Sequence, residues 1–357
     1  MEIDRYSIPA RQALLSLLYE GKDISAAIAP YVISFSYTDN AHGKADDLQV
    51  HLEDRDSIWK GDWYPSKGAR LITSIRCENW ESPEASPKIM HCGSFTIDEI
   101  EFSGPPDTVS IKAVSAAVTT SLRQQKKTKA WENASLEHVA QDIAEANGLE
   151  LKYDGPDFPF QRMDQRESSD LGFLKRMAEQ RGMCLKIADD TIILMHAKKY
   201  DAKSPIKTFT RGYSALKSFR FKDKTDGVYG DGAEINYHDP VGKADKRFVG
   251  ALSGEDQTYV KGSPKKKGGD RLKVNRRIDD LEDGDDIVLA EARDANEDEF
   301  EGSLTVMGDP DLRATMTVGL VGFKHFDGTY FIDTATHAYD RGSGYSTELK
   351  LRKTLEY

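Results

Sequence analysis

Three cysteines, Cys77, Cys92 and Cys184, and the histidine beside one of them, His91, are the first residues that could do chemistry. His91 and Cys92 offer two metal ligands, but a zinc site needs three or four at workable spacing, and the chain has no CxxC pair. The thiols read better as small apolar side chains buried in strands. The eight histidines form neither an HExxH motif nor a facial triad, and His138 falls between Glu137 and Val139 on an expected helix. No serine or cysteine sits in a GxSxG turn. The run Gly262-Ser263-Pro264-Lys265-Lys266-Lys267-Gly268-Gly269 has the composition of a phosphate loop but not its order, because Lys267 precedes Gly268. It reads as a solvated or partner-docking loop. Acidic neighbours such as Glu53-Asp54 and Asp98-Glu99 carry no information about glycoside hydrolysis in a chain with 60 Asp and Glu. That chemistry needs two carboxylates facing each other across a sugar cleft. Trp59, Trp63, Tyr64 and Trp80 cluster near one expected strand end and could stack on a sugar, although core or interface anchoring is the plainer reading. No catalytic, metal-binding or cofactor-binding residue is therefore assigned, and no enzyme or cofactor is expected.

These residues belong to a chain that reads as strand through its first third. Ile33, Phe35 and Tyr37 fall on one face with Ser34 and Ser36 on the other; Leu48, Val50 and Leu52 alternate with Gln49 and His51; Leu71, Thr73 and Ile75 alternate with Ile72, Ser74 and Arg76. Such alternation marks half-buried antiparallel strands. Asp39-Asn40 and His42-Gly43 supply turn chemistry between the first two. Phe95 and Ile97 share one parity while Ile100 and Phe102 share the other, which predicts a β-bulge near Asp98 or Glu99. Gly104-Pro105-Pro106-Asp107 stops that strand, and Val109, Ile111 and Ala113 open the next.

The pattern changes after Ser121. Residues 124–129 read as a polar, basic connector. Ser135 caps a helix with Leu136, Val139, Ala140, Ile143 and Ala144 on one stripe, ended by Gly148. A short strand at 149–153 and a loop through Gly155 and Pro159 follow. Ser168 or Ser169 caps a second helix, with Leu171, Leu174 and Ala178 on its stripe, and a hairpin turns at Asp189-Asp190. Strands resume at 216–221 and 228–237 and return at 304–307, 316–323, 330–338 and 347–355. Between them, residues 239–302 begin Gly- and Lys-rich and end acidic, with a helix expected near 285–297 around Ile287, Ala290 and Ala292. The rest is expected to be an arm that leaves the second β region, docks on a neighbour and is mobile in the isolated chain. The expected fold class is mainly β with an α+β insert. It divides into a first β-barrel over 1–120, an α+β insert domain over 121–200, a second and similar β-barrel over 201–238 and 303–357, and a charged arm or insertion over 239–302.

The chain has 357 residues, 38% hydrophobic and 31% charged, which suits two or more soluble domains. No apolar run approaches the roughly 20 residues of a membrane-spanning helix. The first ten residues hold no apolar signal core, so a protein made and kept in a cytoplasm, without membrane insertion, is expected. A net charge of −11 argues against nonspecific nucleic-acid binding and suits a surface past which a polyanion slides.

Five stretches resemble, in order, the phage late control protein D family, the hub proteins of contractile tails. They are Tyr37-Thr38-Asp39-Asn40 with Ala45-Asp46-Asp47-Leu48 and Leu52-Glu53-Asp54; Cys92-Gly93-Ser94-Phe95-Thr96-Ile97-Asp98-Glu99 with Gly104-Pro105-Pro106; Lys127-Thr128-Lys129-Ala130-Trp131; Asp164-Gln165-Arg166-Glu167-Ser168-Ser169-Asp170 with Phe173-Leu174; and Gly308-Asp309-Pro310 through Gly328-Thr329-Tyr330 to His337-Ala338-Tyr339. The resemblance fades over 239–302. It implies a structural hub of a phage-tail baseplate or related injection machine, such as a tailocin. Three copies, each with two tube-type β-barrels, would form a pseudo-six-fold ring between a six-fold tail tube and a three-fold spike. The implied partners are further copies of the chain, the spike, the tube or its initiator and other baseplate proteins. The implied location is the tail baseplate of a particle assembled in a bacterial host cytoplasm. The alternative from the aromatic residues is a cell-wall-degrading or carbohydrate-binding tail component.

Overall fold

The computed structural model describes residues 10–355 apart from 84, 116–119, 213–214, 225–231, 240–243, 251–270, 275–283 and 298. The chain is mainly β. Its first part runs β1 (Gln12–Tyr19), β2 (Lys22–Asp23), α1 (Ser25–Ile28), β3 (Val32–Asn40), β4 (Asp47–Glu53), β5 (Arg70–Glu78), β6 (Lys88–Ser103) and β7 (Thr108–Ser115). The second is α2 (Thr120–Gln124), β8 (Lys126–Ser135), α3 (Leu136–Ala146), β9 (Glu150–Asp154), β10 (Pro159–Ser169), α4 (Asp170–Glu179), β11 (Met183–Ala188), β12 (Thr191–His196) and α5 (Ala197–Asp201). The third comprises β13 (Lys207–Thr210), β14 (Leu216–Asp223), β15 (Ala233–Asp239), β16 (Ala244–Gly250), β17 (Leu272–Val274), α6 (Gly284–Asn296), β18 (Phe300–Met307), β19 (Thr317–Val321), β20 (Gly328–Asp340) and β21 (Gly344–Lys353).

One sheet passes through both β regions, in the order β14-β18-β21-β20-β3-β4-β7-β6-β5-β1-β2, with β19 and β13 branching from β20. The join is β3 against β20, antiparallel from Ser34↔Asp340 to Asn40↔Thr334. Sequence periodicity cannot show such a join, because its paired residues lie 294 to 306 positions apart and each strand alternates normally by itself. Phe35, Tyr37, Val50, Leu48, Phe95 and Ile97 bury one side of the first β region, and Leu304, Val306, Tyr330, Ile332, Leu349 and Leu351 bury the second. The bulge expected near Asp98 falls between Ile97 and Glu99.

The α+β unit forms around α3 and α4. Ser135 Oγ accepts from the His138 amide, Ser169 Oγ accepts from the Gly172 amide, and Gly148 leaves α3 at φ 70°. The face of α4 differs from the expected stripe: Phe173, Leu174, Met177 and Ala178 are buried, while Leu171 is half-buried. Of the expected connector at 124–129, residue 124 ends α2 and 126–129 open β8, which pairs with β10, a strand not expected from the sequence. That ribbon is wet along most of both faces, so no apolar alternation announced it.

Within 239–302, the described part is folded. β15 joins β16 and β17 in a separate three-stranded sheet rather than the large one, and α6 covers it. Ala233, Ile235, Ile287, Val288 and Ala292 form its core, so the helix expected around Ile287, Ala290 and Ala292 is present. The expectation of a mobile arm draws on the Gly- and Lys-rich start, whose residues 262–269 lie outside the described residues, and on the acidic end 282–301, much of which is α6. Residues 228–231 of the expected strand also lie outside the described residues.

Candidate interaction surface and the joints that shape it

The large sheet has one dry face and one wet face. Followed across the pairing register, Ser34, Ser36, Thr38, Gln49, His51, Thr336, Glu348 and Lys350 share a side, and each is half-buried or exposed. The opposite side holds Phe35, Tyr37, Leu48, Val50, Ala335, His337 and Leu349, all buried. Because the two β regions are joined at β3 and β20, the wet face is continuous from β7 to β18.

Three joints fix the other units on this sheet. At the first, Lys186 of β11 places its Nζ 2.5 Å from Asp39 Oδ1, 2.6 Å from the Asn40 carbonyl and 3.2 Å from Asp46. Asp39 Oδ2 also accepts from the Ala314 amide, and Asp46 Oδ1 from the Asn40 amide. Burial favours a neutral Lys186, but the Asp39 and Asp46 carboxylates outweigh it and raise its pKa. Burial lifts Asp46 to about 6 against the pull of Lys186. At the second joint, the Asp189 carboxylate at the β11–β12 turn accepts from the Ser94 amide at 3.1 Å. Gly93 sits there at φ 108°, and a Cβ on it would lie 2.7 Å from the same oxygen. Both joints use residues of the resemblance stretches, Asp39-Asn40, Asp46 and Gly93-Ser94, so those motifs record contacts between units rather than catalysis.

The third joint is a buried ion cluster. Arg352 of β21, 2% exposed, lies 2.8 Å from Asp201 and 2.5 Å from Glu297, over the Phe331 ring at 4.3 Å. Arg293 of α6 reaches the same Glu297 at 3.0 Å. Burial opposes ionised Glu297, yet the two guanidiniums hold its pKa below the usual carboxylate value. Burial raises Asp333 to about 7 and lowers His42. His42, Glu297 and Asp333 bring ligand atoms within 4.8 Å of one another, a metal-like grouping. Two arginines already neutralise Glu297 there and would repel a dication, so the grouping reads as an ionic lock holding α6 to the sheet. Sequence reasoning missed this cluster. Arg352 sits at a wet-face position beside Glu348 and Lys350, and only the long-range placement of α5 and α6 over it makes it buried.

The sequence candidates disperse. Cys77, Cys92 and Cys184 are buried and unbridged, and burial pushes their thiols up to about 12, 12 and 11. His91 points to the exposed side while Cys92 is buried, so the two do not converge. Asp54 is buried and accepts from the Trp59 amide, whereas neighbouring Glu53 pairs with Arg55 and Arg341. Asp98 and Glu99 are exposed. His138 lies 4.0 Å from Asp142 on its own helix. Residues 262–269 lie outside the described residues. Trp59 and Trp63 meet edge to face at 5.5 Å and both touch Tyr31, and Tyr64 stacks on Phe102. Trp80 is elsewhere, packed on Tyr345 with its indole N–H on the Gly308 carbonyl. The four aromatics therefore do not form one platform.

No protein-family model matches the chain. It is 27% identical over 235 residues to the probable baseplate hub protein of Escherichia phage 186, covering 64% of this chain and 57% of that one. To the probable baseplate hub protein of Escherichia phage P2 it is 29% identical over 221 residues, covering 60% and 53%. The matched region thus spans just over half the length of these curated relatives. Its fold resembles the prophage MuSo2 43 kDa tail protein from Shewanella oneidensis, with TM-score 0.69, 14% identity and coverage of 95% and 98%. It also resembles an E. coli component of the type VI secretion system, with TM-score 0.52, 10% identity and coverage of 92% and 74%. Its ordered motifs, its relatives and its fold make this chain a homologue of the baseplate hub proteins of phages such as 186 and P2.

Proposed function

We propose that the chain is a structural hub subunit of a contractile-tail baseplate or related injection machine. Three copies form a ring that adapts a six-fold tail tube to a three-fold spike. The observation that carries this reading is the single sheet running through both β regions, with one wet face and, among the described residues, unpaired ends. Two tube-type barrel units per chain give six in a trimer, which is the symmetry a tube presents. A ring of this kind works through the fixed placement of its docking surfaces, so the joints at Lys186, Gly93 and Arg352 are its functional machinery. The partners are the spike, the tube or its initiator and other baseplate proteins, and the location is the tail of the particle. No catalytic step or cofactor is part of the proposal.

Should the wet face line the channel, its wall carries Asp47, Glu99, Glu101 and Glu348 together with Lys112, Arg220 and Lys350. That is a mixed wall, not the predominantly acidic one that net charge alone suggests. Images of the purified protein with its tube or spike partner test the reading: three-fold rings support it, and discrete monomers bound to the partner oppose it. The alternative, a wall-degrading or sugar-binding component, draws on exposed Trp63 and Tyr64, which border a groove of about 410 Å³. A zymogram on peptidoglycan separates the two.

A further inference from the structure

We infer that the β14 edge of one copy pairs with residues 98–103 of β6 in a second copy, continuing the sheet across the subunit boundary. The inference rests on the ring reading and names the contact that would close it. β14 ends the sheet: among the described residues it pairs with β18 alone. It is also poorly covered, with Lys217, Ser218, Phe219 and Arg220 all exposed. The second open edge is less obvious. β5 accompanies β6 only as far as Thr96, and Gly68 and Ala69 carry the backbone bonds one residue further, to Ile97. From Asp98 to Ser103, β6 is paired with β7 on one side, and among the described residues no backbone partner lies on the other. Unpaired edges of this kind are templates for another strand.

The two edges fit in three independent respects. Direction is the first: every pairing from β6 through β7, β4, β3, β20, β21 and β18 to β14 is antiparallel, so β14 runs opposite to β6. A neighbour related by rotation about a ring axis would therefore add its strand antiparallel. Facing is the second. Traced through the register, Ile100 aligns by way of Ile111, Val50 and Phe35 with Tyr339, and Phe219 by way of Leu304 and Leu349 with Ala335. Tyr339 and Ala335 share a side of β20, so Ile100 and Phe219 share a side of the sheet. Phe219 is 44% exposed, and a neighbour's Ile100 and Phe102 would cover it. On the opposite side, Arg220 and Lys222 would meet Glu99 and Glu101.

Charge is the third. Lys217, Arg220 and Lys222 form a basic edge with no ion pair among the described residues, while Asp98 and Glu101 are acidic and likewise unpaired there. Opposite charges on neighbouring strands stabilise the pair, and like charges oppose it. This excludes β14 against a second β14. It also disfavours the open part of β1, whose Gln12, Leu14 and Ser16 offer no acid. A contact between two different edges is head-to-tail and closes into a ring when the rotation permits.

The test uses unmodified protein. Chains labelled with ¹⁴N and ¹⁵N are co-assembled, linked with a zero-length carbodiimide reagent, and digested for mass spectrometry. Links between Asp98 or Glu101 of one isotope and Lys217 or Lys222 of the other are expected. An oligomer without them, or a chain that stays monomeric at every concentration, overturns the inference. A measured mass reports separately on the ring: three copies without these links would retain the trimer and discard this contact, and these links in another stoichiometry would do the reverse. As a second arm, Lys217→Glu, Arg220→Glu and Lys222→Glu together should weaken assembly at least tenfold. Adding Asp98→Lys and Glu101→Lys to the same chain should restore it. Wild-type assembly by the triple variant overturns the inference.

Discussion

Replacing Lys186 with methionine keeps the length of the side chain and removes the cation shared by Asp39 and Asp46. Two carboxylates would then be buried with backbone amides, and for Asp46 also the Tyr37 hydroxyl, as their remaining partners. Breaking a buried ion pair from one side costs about 3–5 kcal/mol. The lower end applies because both acids keep those amide bonds, so a loss of about 3 kcal/mol is expected at pH 7.5. The pH dependence separates this from lost packing. Without the cation, the buried Asp46 carboxyl, whose pKa burial already raises, binds its proton more tightly in the folded than in the unfolded chain. The variant's deficit is therefore smallest at low pH and grows as pH rises through the folded pKa of Asp46. Asp46 already stands at about 6 with the lysine present. The gap between wild type and variant should shrink to about 1–2 kcal/mol at pH 5. Urea unfolding followed by tryptophan fluorescence at the two pH values measures it. A variant within 1 kcal/mol of wild type at pH 7.5, or one with the same deficit at pH 5, refutes the argument.

Other outcomes follow from the same geometry. Nε2 of His337 donates to the Leu312 carbonyl while Nδ1 accepts from the Tyr345 hydroxyl, and burial lowers its pKa to about 4. Its contribution to stability is complete above 6.5 and is lost as pH falls towards 4, so the advantage over His337→Gln should shrink by about 3 kcal/mol across that interval in paired urea titrations. Gly93→Ala should destabilise by about 1–3 kcal/mol, since it meets both a positive φ and the Asp189 carboxylate; calorimetry showing an unchanged transition would contradict this. The three cysteines should react with a thiol reagent only after denaturation, because burial and raised pKa values both protect them. Prompt labelling of the native protein would contradict their placement.

What the sequence reveals is local. Period two reports Phe35, Tyr37, Val50 and Leu48 because each strand has one dry face, and the parity slip around Asp98 locates the bulge for the same reason. The caps at Ser135 and Ser169 are equally legible, since capping chemistry acts over three residues. β8 and β10 are silent because their ribbon has little dry surface. The join of β3 to β20 is silent because register between distant strands leaves no local mark. Residues at the joints fall between these cases. Asp39, Asp46 and Gly93 lie in motifs that family resemblance picks out, but what they do needs Lys186 and Asp189, more than 90 positions away. Arg352 and Arg293 read as ordinary charged residues on strand and helix, and their burial appears only when α6 closes over β21.

The central claim is that this chain builds a ring, and the most direct measurement is the mass of the assembled hub with its tube or spike partner bound. Native mass spectrometry should find three copies of the 357-residue chain in each complex. A stable complex with one, two or six copies would contradict the account.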